Sequence, residues 1–177
     1  MLVYAPLEAI IVFIISSPLI FLAFRRHYTF LQKLCSVILA VYIVYAVKYF
    51  FFPVYFDRES FPAYKFAVEA SLFSQYSGVG IGTAAFQILG NIAAFVPLTF
   101  LTAVIYLSCR SFRGSFLLSV LASVSIELIQ LCIDLATQIA NRAVDITDIL
   151  LNVIGGLCGY LCFRVFAAIF PRAKNSA

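Results

Sequence analysis

Charge is what this chain has least of: across 177 residues only 11% are Asp, Glu, Lys or Arg, where a water-soluble domain carries about 25%. That shortage excludes the soluble classes, from nucleic-acid binders to cytosolic nucleotide enzymes. The single histidine, His27, is expected in a cytoplasmic basic turn, so no Ser-His or Cys-His pair is expected, and one histidine cannot make a histidine metal cluster. The chain has no GxSxG, no HExxH and no P-loop. The five cysteines, Cys35, Cys109, Cys132, Cys158 and Cys162, are odd in number, lack CxxC spacing and sit in or beside apolar runs. They read as small hydrophobes rather than a disulfide framework. No basic segment precedes the first apolar run and no A-x-A site follows it, so that run is expected to stay in the protein.

What is present in excess is apolar surface. Hydrophobic residues make up 64% of the chain and the mean hydropathy is +1.05. Apolar runs long enough to span a bilayer fall at about 7–24, 34–54, 83–107, 115–136 and 148–170. In lipid each segment must satisfy its own backbone, so the expected fold is all-α, a polytopic bundle of about five helices with antiparallel neighbours. We divide it into an extra N-terminal span and basic turn (1–33), a four-helix core (34–170) and a tail (171–177). Arg25, Arg26, Lys33, Arg110, Arg113, Arg164, Arg172 and Lys174 fall on one side of such a bundle, against Arg58, Lys65 and Arg142 on the other. That bias places the N-terminus outside and the C-terminus in the cytoplasm of a multi-pass cell-membrane protein. The net charge of +4 is topology, not a nucleic-acid site. The 55–82 segment, with Phe and Tyr between charges, is expected to lie along the outer interface.

Polar residues inside spans are costly and need a reason. In the fourth run Ser119, Ser123, Glu127, Gln130 and Asp134 follow steps of 4, 4, 3 and 4, one stripe of a helix. In the fifth, Asp145, Asp148 and Asn152 lie above Gly155, Gly156 and Gly159, a polar half over a small-residue half suited to close packing. In the third, Thr83, Gln87, Asn91 and Thr102 line one side, and Pro97 frees the Ala93 carbonyl and favours a kink. Exposure of three such stripes to hydrocarbon is disfavoured, so they should face one another and enclose a polar cavity under the outer headgroups. Its candidate residues are Asn91, Glu127, Gln130, Arg142, Asp145, Asp148 and Asn152. Asn91 and Gln130 alone are ordinary amide glue between helices. Packing does not need the three carboxylates Glu127, Asp145 and Asp148, which raise one another's pKa unless a cation intervenes. Arg142 is the favoured partner; Lys48, placed to snorkel, and a hard divalent ion are the others. Nothing in the sequence calls for a cofactor, and D-x-x-D spacing does not by itself specify a metal. Glu8 and His27 read as solvated.

These same residues carry a family resemblance. Residues 91–160 resemble the VanZ-like family in three blocks: NIAAFVP (Asn91, Phe95, Pro97), SIELIQL (Glu127, Gln130) and RAVDITDILLNVIGGLCGY (Arg142, Asp145, Asp148, Asn152, Gly155, Gly156, Gly159). Phe52-Pro53 is a weaker match. Thr99 departs from the glycine usual after the proline, which implies looser packing there, and residues 1–33 lie outside the resemblance. Membership implies a polytopic cell-envelope protein and, in the family's namesake, lowered sensitivity to teicoplanin; it supplies no mechanism.

Three functional readings follow from the stripes. One is a binding or resistance factor whose outer-leaflet cavity takes a lipid-linked cell-wall precursor headgroup or the acyl-sugar part of a lipoglycopeptide, with membrane lipids as its other partners. A second is an intramembrane enzyme acting on a lipid phosphate, with Asp145 and Asp148 on a divalent ion and Glu127 as general base. The third is a transporter with a carboxylate proton relay, which no inverted repeat supports.

Overall fold

A computed structural model describes Ile14, Ser17, Phe21 and residues 28–55, 68–69, 72–73, 76–139 and 144–170. Four helices within it are long and apolar enough to cross a membrane: α1 (Phe30–Phe51), α2 (Ile81–Ile105), α3 (Phe112–Thr137) and α4 (Ile146–Ile169). They correspond to the second to fifth apolar runs. The 7–24 run lies almost wholly outside the described residues. The only sheet among the described residues is a two-residue parallel pair, β1 (Val68–Glu69) with β2 (Val144–Asp145), in the register Val68 to Val144 and Glu69 to Asp145.

Capping chemistry sets the helix starts a few residues ahead of the apolar runs. Thr29 and Gln32 form a reciprocal capping box, which draws Lys33 into α1. The Ser111 side chain accepts from Gly114 N to open α3, and Asp145 accepts from Thr147 N to open α4. Asp145 is therefore the N-cap of α4 and not part of the span itself. At the other end of α3, Gln138 takes the left-handed conformation (φ 58°, ψ 31°) and turns the chain back on itself.

Contacts between helices fix their directions. Gln32 Nε2 donates to Ile105 O, while the Tyr42 hydroxyl donates to Ala94 O, so α1 and α2 are antiparallel. Asn152 Nδ2 donates to Ser123 Oγ, and Phe112 packs edge-on to Tyr160, so α3 and α4 are antiparallel as well. Helices α2 and α4 run parallel and touch through glycine. A Cβ on Gly155 would sit 2.1 Å from Ile92 O, and one on Gly159 would sit 2.1 Å from Thr99 Oγ1 and 2.3 Å from Val96 O. Only glycine admits that approach. The α2 helix continues through Pro97. Thr99, expected to loosen this contact, instead tightens it: fully buried, it donates from Oγ1 to Gly156 O at 2.8 Å. The room left by Gly156 and Gly159 is what a threonine can fill.

The apolar core is concentrated toward the α1 start, where Cys35, Leu39, Leu101, Val104, Ile105 and Phe163 cluster and Phe100 meets Phe166 edge-on. Helix α3 is organised the other way. Its buried residues are Ser115, Ser119, Ser123, Glu127, Gln130, Asp134 and Thr137, all polar, while Phe116, Leu117, Leu121 and Leu128 are exposed. That inversion suits a helix whose outer face meets lipid. All five cysteines are free.

Candidate functional site

Helix α4 starts deep in the bundle. The backbone N–H of Asp145 donates to Glu127 Oε2 at 3.2 Å, which sets the α4 N-terminus level with Glu127. Glu127 itself lies roughly 15 Å below the α3 end at Thr137, at 1.5 Å per residue. Asn91 lies a similar distance from the start of α2, roughly 15 Å, and its Nδ2 donates to Asp148 Oδ1 at 2.7 Å. The polar site is thus recessed beneath a rim made by the α2 start and the α3 end. Between α3 and α4 the chain re-enters the bundle: Ile139 has no exposed surface, and β2 brings Val144 and Asp145 down beside Glu127.

Depth explains a correction to the third stripe. Thr83 and Gln87 are exposed because the first turns of α2 project past the recessed α4 start, so only Asn91 of that upper row reaches the site. Thr102, lower on α2, is buried and donates to Leu98 O at 2.7 Å within its own helix. Two described parts of the 55–82 segment reach the site. Its β1 residues pair with β2, and the backbone N–H of Phe73, at φ 63°, donates to Thr147 Oγ1 in the first turn of α4 at 2.9 Å.

Asp145 and Asp148 each accept a hydrogen bond from a neutral donor. Asp145 is fully buried; its Oδ1 accepts from Thr147 N at 2.7 Å. Asp148, half-buried in the first turn of α4, accepts from Asn91. Both lie at the N-terminal end of α4. Asn152 is 1% exposed and donates to Ser123 Oγ at 3.0 Å. Gln130 turns elsewhere: its Nε2 donates to Phe50 O on α1 at 2.9 Å, the helix-joining role open to an amide. Lys48 is exposed in the last turn of α1. Arg142 lies outside the described residues.

Below Asn152 the seam closes. A Cβ on Gly156 would stand 1.9 Å from Ser119 Oγ and 3.2 Å from Thr99 Cγ2. Ser119 turns its hydroxyl back to Ser115 O at 2.7 Å. The α3–α4 seam below Asn152 is therefore closed by packed side chain and backbone.

Three polar atoms in this region are buried with no hydrogen-bond partner among the described residues: Asp145 Oδ2, Asn152 Oδ1 and the Tyr76 hydroxyl. Burial, with the charges of Asp148 and Asp145 and the proximity of Tyr49, pushes the Tyr76 phenol up to about 12. Neither Tyr76 nor Thr147 is marked by a stripe in the sequence; Ser115 and Thr137 are, since they continue the α3 spacing by one step at each end. No group of three or more His, Cys, Asp or Glu side chains among the described residues is placed to hold a metal ion.

No curated protein matches the chain, nor does any solved structure. A family model does: VanZ/LLP1 matches residues 37–167, which spans all four described helices except the first turns of α1 and the last residues of α4. With about three quarters of its length matched, and with Asn91, Glu127, Asp145, Asp148 and Asn152 brought to one seam, the chain belongs to the VanZ/LLP1 family.

Proposed function

We propose that this protein is a cell-envelope binding factor. It sits in the cell membrane with the α2 start, the α3 end and the recessed site toward the outside, and Arg110, Arg113 and Arg164 at the cytoplasmic end, as the basic bias requires. The site takes the headgroup of an amphipathic ligand, a lipid-linked cell-wall precursor or the acyl-sugar part of a lipoglycopeptide, and its occupation lowers sensitivity to teicoplanin-type glycopeptides.

The observation that carries this reading is the pair of buried acceptors without donors, Asp145 Oδ2 and Asn152 Oδ1, above the closed part of the α3–α4 seam. A network made only to hold helices in register has no reason to leave such atoms unpaired, because each costs about 1–3 kcal/mol. A site that receives donors from a ligand does. The closure of that seam favours binding over passage.

The test is teicoplanin susceptibility in a sensitive host expressing the intact chain, Glu127→Ala or Asp148→Ala, with membrane levels matched. Reduced susceptibility with the intact chain, lost in both variants, is expected. Identical susceptibility in all strains, including the empty host, defeats the proposal.

A further inference from the structure

The bundle has a second charged region, at the end away from the recessed site. No Asp or Glu occurs in residues 9–56, 70–126 or 149–177, so the start of α1, the end of α2, the start of α3 and the end of α4 carry lysine and arginine but no carboxylate side chain. The arginines there are not alike. Arg110 is used inside the fold: its guanidinium donates to Ala103 O at 3.2 Å and to Val104 O at 3.3 Å, closing the end of α2. Arg113 and Arg164 are exposed. The Arg113 guanidinium has no partner among the described residues. Arg164 donates from Nη1 to the Tyr160 hydroxyl at 2.8 Å, with its Cζ 5.8 Å from the centroid of the same ring. One buried tyrosine therefore fixes the guanidinium twice over, and most of its five N–H donors are unused among the described residues. Tyr160 also meets Phe112 edge-on, with centroids 6.1 Å apart, and Phe112 stacks on Phe116 at 6.2 Å. That packing sets the first turn of α3, which carries Arg113, beside the Arg164 turn of α4. Phe112, Phe116 and Leu161 are 55%, 43% and 60% exposed, so the two cations stand at the head of an open apolar strip.

We propose that this end of α3 and α4 is a docking surface for a diacyl phospholipid of net negative charge, its phosphate on Arg164 and Arg113 and an acyl chain along Phe112, Phe116 and Leu161. Charge complementarity selects the occupant. A pair of exposed cations with no carboxylate at its own end of the bundle is neutralised from outside the chain, and at the end of a membrane span the anion at hand is a lipid phosphate. A guanidinium already held in one orientation suits the paired oxygens of a phosphate. The apolar strip favours a lipid over a soluble anion, which has nothing to lay along it. A zwitterionic lipid brings its own cation beside the phosphate and gains less. The surface shares no residue with the recessed site and lies at the opposite end of the bundle, so it stands or falls independently of the function proposed above.

The experiment uses the full chain purified into phosphatidylcholine nanodiscs, with or without phosphatidylglycerol, and follows thermal unfolding. Phosphatidylglycerol at ten times its Kd is expected to raise the Tm by roughly 3–6 °C over phosphatidylcholine alone. Inorganic phosphate added to the phosphatidylcholine discs is expected to leave the Tm where it was. Two variants that keep every charge separate a built surface from the general attraction of a basic end for an anionic bilayer. Arg164→Lys keeps the cation and loses the planar fork; Tyr160→Phe keeps both arginines and loses the hydroxyl that fixes Arg164. Each is expected to lose about half or more of the shift, whereas general attraction would survive in both. The Arg113→Gln/Arg164→Gln double variant, altered only at exposed positions, is expected to lose the shift entirely while unfolding like the intact chain in phosphatidylcholine. The proposal is overturned if the two lipids act alike, if either charge-keeping variant or the double variant retains the full shift, or if inorganic phosphate reproduces it.

Discussion

Asn91 on α2 and Asp148 on α4 are joined by a 2.7 Å hydrogen bond in which the amide donates and the carboxylate accepts. Helices α2 and α4 are also joined by glycine contacts, a threonine and the Phe100–Phe166 pair, so this bond is where the packed part of their interface gives way to the polar part. Asn91→Leu is expected to destabilise the protein by about 1–3 kcal/mol, the cost of leaving a carboxylate short of a donor. In the Asn91→Leu/Asp148→Leu double variant the loss should be smaller than the sum of the singles, because neither group is stranded. Denaturant unfolding in detergent measures both, and additive losses would show that the bond is incidental.

Glycine tolerance should separate along one chain. Gly155→Ala and Gly159→Ala each force a methyl to within about 2 Å of the α2 backbone or Thr99, which α2 cannot yield without moving away, and should cost about 1–3 kcal/mol each. Gly82→Ala, in the first turn of α2 where no atom lies within 4 Å, should be neutral or stabilising by about 0.4–1 kcal/mol. The three melting temperatures, measured in one detergent, decide it.

Tyr76 gives a pH signature. Its phenol is raised in the folded protein to about 12 from the ordinary value of 10, so the neutral form is favoured by folding. Its contribution to stability is therefore complete below pH 10 and is lost as the pH climbs from 10 through about 12. Tyr76→Phe should flatten that part of the stability profile. Asp148→Asn removes one of the charges that raise it and should bring the alkaline tyrosinate absorbance of Tyr76 to lower pH. An unchanged titration in Asp148→Asn would place Tyr76 away from the site.

Thr147→Val removes the acceptor of the Phe73 N–H while keeping the side-chain volume. The expected loss of global stability is small, about 0.5–1.5 kcal/mol, but proteolysis within 72–80 should speed up several-fold because the tie of that segment to α4 is gone. Equal cleavage rates would show that other contacts hold it.

Much of the site was legible before any coordinates. The α3 stripe at steps of 4, 4, 3 and 4 reads as one face, and Ser119, Ser123, Glu127, Gln130 and Asp134 are all buried on it. Asp145, Asp148 and Asn152 above three glycines likewise read as a polar half over a packed half. Helical periodicity is local, so it is written in the chain. Periodicity also placed Thr83 and Gln87 with Asn91, and there it failed, since where a stripe stops facing a partner depends on how far the partner helix extends.

The sequence by itself determined that this is a membrane helix bundle of the VanZ/LLP1 family with its hydrophilic faces turned inward, because burying charge in lipid is too costly for any other arrangement. Only the tertiary structure decided the depth of the site, the diversion of Gln130 to Phe50, the fit of Thr99 against Gly156, and the return of Val68–Glu69, Phe73 and Val144–Asp145 to the seam. Those depend on the register between helices and on backbone hydrogen bonds between segments far apart in the chain, and no residue announces either one alone.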